Sequence, residues 1–125
     1  MWALREAGAE VAVWNRTPER ARALAEEMGV GQAEEPRSAD VLVNATASGL
    51  RRGDRELPLA GVSAGVVVDL VYGAEPTALV RWAERGGARV VDGIEVLVRQ
   101  GARSLEGWTG QEPPLEAMRR AARAG

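Results

Sequence analysis

The chain has 125 residues, 46% apolar and 27% charged, with a formal net charge of −2. That is one domain's worth of an ordinary globular protein, long enough to bury a core, and the charge balance offers nothing to a general nucleic-acid or membrane-surface partner. Cysteine and histidine are absent and all sixteen basic residues are arginine, which excludes disulfides, thiol chemistry, imidazole bases and lysine chemistry. No stretch approaches the roughly 20 apolar residues of a membrane span. Residues 1–8 are too short and too mixed for a signal peptide, so a soluble, cytoplasmic protein is expected.

Residues 1–7 read as the tail of a helix stopped by Gly8. Glu10–Trp14 alternates as a short strand. Thr17, Pro18 and Glu19 then supply an N-cap, a first-turn proline and an acid for the positive helix end. Ala21, Leu24, Ala25 and Met28 continue an apolar face to a stop at Gly29. A weak strand at Val30–Ala33 and a polar loop lead to a buried strand, Asp40–Thr46. A Gly- and Arg-rich loop over Ala47–Leu59 follows, then Gly65–Tyr72, the most apolar strand. Thr77 caps a helix running to Gly86, and Ala88–Val91 is another strand, turned by Asp92-Gly93. Ile94, Leu97, Val98, Ala102 and Leu105 recur at helical spacing up to Gly107. Pro113-Pro114 opens a last helix with Leu115, Met118, Ala121 and Ala122 on one face.

Apolar strands alternating with amphipathic helices predict a parallel sheet in an α/β fold, where ligands gather at the carboxyl ends of strands. Four segments lie there. Asn15-Arg16-Thr17 stands where a dinucleotide-binding unit places the adenosine ribose, and where NAD binders usually carry an acid. An arginine there suits a 2′-phosphate instead, with helix-end amides from Thr17 onward and Arg20 one turn later. A plain helix cap beside a solvated arginine fits the same residues. Asn44–Gly49 reads as a close-approach loop or a polar turn. Tyr72, the sole tyrosine, fits a cleft or a core rim. Gln100 falls at the edge of its helix's apolar stripe, facing a cleft or solvent.

Taken in order, VWNRTPERA, VNATASG, VVDLVYG with EPT, VDGIEVLVRQGA and EGWTG resemble the C-terminal, cofactor-binding domain of shikimate dehydrogenases, across essentially the whole chain. The resemblance implies a Rossmann-like, doubly wound parallel sheet and an NADPH-linked reduction of 3-dehydroshikimate to shikimate. It implies that Asn15, Arg16, Thr17 and Arg20 hold the 2′-phosphate of NADP(H). Ala47 and Ser48 would line the nicotinamide side, Leu70 and Gly93 would make backbone contacts there, and Tyr72 and Gln100 would touch substrate. Ala47 stands where a serine is frequent in the family.

Two departures limit what the resemblance carries over. The family's Gly-rich phosphate loop should precede the first helix, but residues 1–4 already lie inside that helix. A first strand and loop of roughly 15–20 residues are missing from the pattern. The family's Lys–Asp pair has no counterpart either, so no catalytic residue is assigned, and no metal ligand. The expectation is a single partial NADP-binding domain over residues 1–125, inactive alone and binding NADP(H) weakly. A non-catalytic nucleotide-binding or self-associating module, and a quinate/shikimate-type relative, are the alternatives. Without its first strand, the strand at 10–14 and the strand at 40–46 lose a shared neighbour. They can pair directly or leave edges that recruit a second chain; self-association is favoured.

Overall fold

The computed structural model describes residues 1–50, 56–73 and 75–124. The chain divides into two compact units, Met1–Arg37 with Pro58–Val62, and Ser38–Leu57 with Ser63–Gly125. The middle of the expected loop over residues 47–59, residues 51–55, lies outside the described residues.

The first unit holds α1 (Trp2–Glu6), β1 (Ala12–Val13), α2 (Pro18–Met28) and β2 (Gly31–Gln32). β1 and β2 pair in parallel, Ala12 against Gly31 and Val13 against Gln32. The strand expected at Glu10–Trp14 is thus only two residues long, and the one at Val30–Ala33 shrinks likewise. Each strand of this two-stranded sheet has one partner, so the ladder has few bonds to extend it. α2 forms where its proline and glycine punctuation places it. Pro18 opens it, and Gly29 closes it in the left-handed region at φ 61°, a conformation glycine adopts without steric cost. Ala21 and Ala25 are the buried residues of its face.

The second unit holds β3 (Ala39–Asn44), β4 (Ala64–Asp69), α3 (Ala78–Arg85), β5 (Arg89–Val91), α4 (Gly93–Thr109) and α5 (Leu115–Ala124). Its strands form a parallel sheet in the order β3-β4-β5. β4, at the centre, carries Val67 and Asp69, both fully buried, and Val71 continues that face beyond the strand end. Leu79, Val80 and Ala83 of α3 and Val98 and Ala102 of α4 complete the core. Two expected strands end earlier than their apolar runs. β3 stops at Asn44 rather than residue 46, and β4 at Asp69 rather than Tyr72. In both, a side-chain carbonyl or carboxylate captures the amide two residues on, which ends the ladder in a turn. α4 runs two residues past Gly107, to Thr109. Its Leu97 is exposed, off the buried stripe.

Among the described residues the strands fall into the two ladders β1-β2 and β3-β4-β5, one in each unit. Strand pairing and the parallel sense match the α/β class read from the sequence.

α5 is fastened to α4 by charge. Arg119 forks onto Glu95, with Nε 2.9 Å from Oε2 and Nη2 2.8 Å from Oε1, and Arg123 reaches Asp92 at 3.0 Å. The Arg119 hydrogen bonds, outweighing partial burial and helped by Arg99, lower the Glu95 pKa to about 2. A depressed carboxylate pKa contributes stability that is complete above its unfolded value and lost as pH falls through the folded one. Stability should therefore decline from about pH 4.5 down to about 2. In Glu95→Gln this component of the decline should be missing, as followed by thermal melts across that range.

Candidate functional site

Parallel strands deliver their carboxyl ends to one edge of a sheet, and in the second unit three loops leave from that edge. The register aligns them: Asn44 of β3 is the partner of Asp69 of β4, and Val68 of β4 is the partner of Val91 of β5. A cavity of about 360 Å³ opens there, lined by Ala45, Thr46, Leu50, Leu70, Val71 and Tyr72. Its lining is chiefly apolar, with the Thr46 hydroxyl and backbone groups for polarity, the usual make-up of a small-molecule pocket.

The loops around this cavity are built on side-chain bonds from two buried residues. Asn44, 3% exposed, accepts through Oδ1 from the Thr46 amide at 3.1 Å and the Thr46 hydroxyl at 2.7 Å. Its Nδ2 donates to the Ser48 carbonyl at 3.2 Å and to Asp69 Oδ1 at 2.9 Å. The Thr46 hydroxyl in turn accepts from the Ser48 amide at 3.1 Å. Asp69, 0% exposed, also accepts from the Val71 amide at 3.1 Å and from the Thr77 hydroxyl at 2.5 Å. Thr77 then caps α3, accepting from the Val80 amide.

The third loop closes the set by contact. Asp92 caps α4 by accepting from the Glu95 amide at 2.8 Å. Gly93, the next residue, is buried, and a Cβ built on it would stand 2.7 Å from the Val71 carbonyl oxygen and 3.0 Å from that of Leu70. The backbone of the Leu70–Val71 loop therefore occupies the space a side chain would need.

The sequence-predicted residues fall into three groups. Leu70 and Tyr72 line the cavity, and both are exposed. Ala47 and Ser48 belong to a loop that builds it, and Gly93, the first residue of α4, packs against the backbone of the Leu70–Val71 loop. Gln100 is not among the cavity's lining residues; it is exposed on α4 and its amide nitrogen donates to the Leu97 carbonyl at 3.1 Å. Asn44, Asp69 and Thr77 fall within or beside the candidate segments without being named for a site role, and the bond between Asn44 and Asp69 lies in a register that joins positions 25 residues apart.

In the first unit, the turn after β1 is set by Asn15, whose Oδ1 accepts from the Thr17 amide at 2.9 Å. Thr17 occupies the N-cap position of α2, but its side chain makes no cap bond. The capping bond expected from the Thr17 side chain does not form; the Asn15 bond holds the Thr17 amide instead. Arg16, Thr17 and Arg20 are exposed. Neither arginine has an ion-pair partner among the described residues.

Comparison with known proteins gives a consistent answer. The family model of the shikimate 5'-dehydrogenase C-terminal domain matches residues 93–123. Shikimate dehydrogenase (NADP(+)) from one strain of Thermus thermophilus is 47% identical over 98% of the chain and 48% of its own length. The enzyme of that name from Methanothrix thermoacetophila is 42% identical over 97% and 48% respectively. The crystal structure of shikimate 5-dehydrogenase from a second Thermus thermophilus strain, in complex with NADP(H) and shikimate, superimposes with a TM-score of 0.87 at 46% identity. It is covered over 48% of its length, by 98% of the present chain. The Aquifex aeolicus shikimate dehydrogenase gives a TM-score of 0.83 at 34% identity, with 97% and 47% covered. The chain spans about half the length of the curated relatives it matches. In sequence and in Rossmann-like α/β fold, this chain is similar to about half the length of the shikimate dehydrogenases (NADP(+)), and its residues 93–123 match the C-terminal domain of that family.

Proposed function

We propose that the chain is a partial NADP-binding domain of the shikimate dehydrogenase type, serving the reduction of 3-dehydroshikimate to shikimate in a cytoplasmic setting. The observation that carries this reading is the Asn15–Arg16–Thr17 turn, whose arginine lacks an ion-pair partner among the described residues and whose strand-end position suits a 2′-phosphate. Arg16 and Arg20 supply guanidinium donors to that phosphate, and Asn15 fixes the turn. Ala47, Ser48, Leu70 and Gly93 serve the nicotinamide, and Tyr72 and Gln100 the substrate. NADP(H), when bound, supplies the hydride. The chain's own residues bind and orient.

Proton transfer to the reduced ketone needs an acid near neutral pKa. With lysine, histidine and cysteine absent, the described residues of the second unit present the Tyr72 phenol and carboxylates at this edge. The pure chain, mixed with NADPH and 3-dehydroshikimate, is therefore expected to give no turnover above background when NADPH absorbance is followed. Robust oxidation of NADPH would overturn this reading. Binding is tested separately, by calorimetric titration with NADPH and NADH.

The chain also self-associates on this reading. Among the described residues β3 pairs on one side only, and its Val41 and Val43 are exposed, the condition under which a strand recruits another chain. Light scattering should report a dimer or larger species. A monomer stable across concentration would count against it.

A further inference from the structure

We propose that Asp69 is the positioning residue of the cavity at the sheet edge. This rests on the reading of that cavity as the nicotinamide side of an NADP(H) site. One carboxylate holds both of the loops that line the cavity. Through Oδ1 it accepts from the Val71 amide, fixing the Leu70–Tyr72 loop directly, and from Asn44 Nδ2. Asn44, so oriented, aims its Oδ1 at Thr46 and its second Nδ2 hydrogen at Ser48, fixing the other loop. Through Oδ2 it accepts from Thr77, which anchors the carboxylate to the start of α3. The carboxylate has no exposed surface and does not line the cavity, so it touches no ligand and acts through the groups it holds. A buried carboxylate placed among donors alone, none of them cationic, is costly unless each bond is made. Here the partners converge from three chain segments, two of which line the cavity while the third, at Thr77, begins α3.

The test uses the whole chain with three readouts: far-UV circular dichroism, amide hydrogen exchange at Val71, Thr46 and Ser48, and NADPH titration. Asp69→Ala removes the acceptor. Asp69→Asn keeps Oδ1 for Val71 and Asn44 and turns Nδ2 toward the Thr77 oxygen. Thr77→Val removes the Oδ2 bond, and Thr77→Ser keeps it. Asp69→Ala and Thr77→Val are expected to retain the circular dichroism spectrum. Their exchange at Val71 should be at least tenfold faster, and NADPH binding at least tenfold weaker. Asp69→Asn and Thr77→Ser should restore both. Should Asp69→Ala fail to fold, the Thr77 pair decides. Unchanged exchange and affinity in Thr77→Val would overturn the proposal, as would an Asp69→Asn as impaired as Asp69→Ala. If the unaltered chain bound no NADPH while the exchange pattern held, the cofactor reading would fall and the positioning would stand.

Discussion

Gly93→Ala should destabilise the second unit by about 2 kcal/mol, the cost of overpacking against rigid backbone less the helix-propensity gain. The new Cβ would lie 2.7 Å from the Val71 carbonyl oxygen, 2.9 Å from its carbon and 3.0 Å from the Leu70 oxygen. A flexible side chain could swing aside, but these are backbone atoms. The Val71 amide is already committed to Asp69 and the Leu70 amide to the Asn44 carbonyl, so the loop cannot yield without losing those bonds. Overpacking of this kind costs roughly 1–3 kcal/mol, and the rigid obstruction places it at the upper end. Replacing glycine by alanine inside a helix returns at most about 1 kcal/mol, less at the first helical position. Urea unfolding should show a lower midpoint at unchanged slope. A midpoint equal to that of the unaltered chain would mean the loop relaxes freely. The same substitution should shift the Leu70 and Val71 amide resonances before any ligand is added.

That expectation changes what the glycine means. In the sequence, Gly93 stands as a nicotinamide contact implied by resemblance. The structure gives it a prior reason: α4 begins directly beneath the Leu70–Val71 loop, and a glycine there lets helix and loop touch. Packing alone demands it, whether or not a cofactor binds.

Local chemistry is legible in the chain, and long-range pairing is not. The cap expected at Thr77 forms, because a cap bonds an amide only three residues away, and Asp92, read in the sequence as part of a turn, caps α4 by the same local bond. Gly29 and Pro18 bound α2 for the same local reason. Strand ends fall short of their apolar runs where a polar side chain intervenes. The run to Tyr72 suggests a continuous strand, yet Asp69 turns back on the Val71 amide and ends it. Gln100 illustrates the limit of a helical wheel. The wheel puts it at the stripe's edge but cannot say whether an edge meets a cleft or solvent, and here it is exposed. The Asn44–Asp69 bond joins residues 25 apart through strand register. Its two members read in the sequence as ordinary polar residues at strand ends.

The other large effect concerns the first unit. Arg16→Ala should weaken NADPH binding about 10- to 100-fold while leaving NADH binding nearly unchanged. Arginine at a helix start is electrostatically unfavourable, because the positive helix end repels it. α2 nevertheless places Arg16 just before its N-cap and Arg20 in its first turn, with Glu19 as the acid of that turn. Neither guanidinium is neutralised by an ion pair among the described residues. Amides, hydroxyl and two cations together make a surface that prefers a dianion, and NADPH carries one where NADH carries a hydroxyl. A charge-assisted hydrogen bond contributes roughly 1.5–3 kcal/mol, which is the stated 10- to 100-fold at about 1.4 kcal/mol per decade. Because Arg16 is exposed, its removal should leave the melting temperature within about a degree or two of the unaltered chain, so a change in affinity cannot be charged to unfolding. Raising the salt concentration should weaken NADPH binding more than NADH binding, since the phosphate pairing is screened. Equal affinities of the unaltered chain for the two cofactors would remove the 2′-phosphate assignment. The Asn15 turn would then be a helix start that happens to carry two arginines.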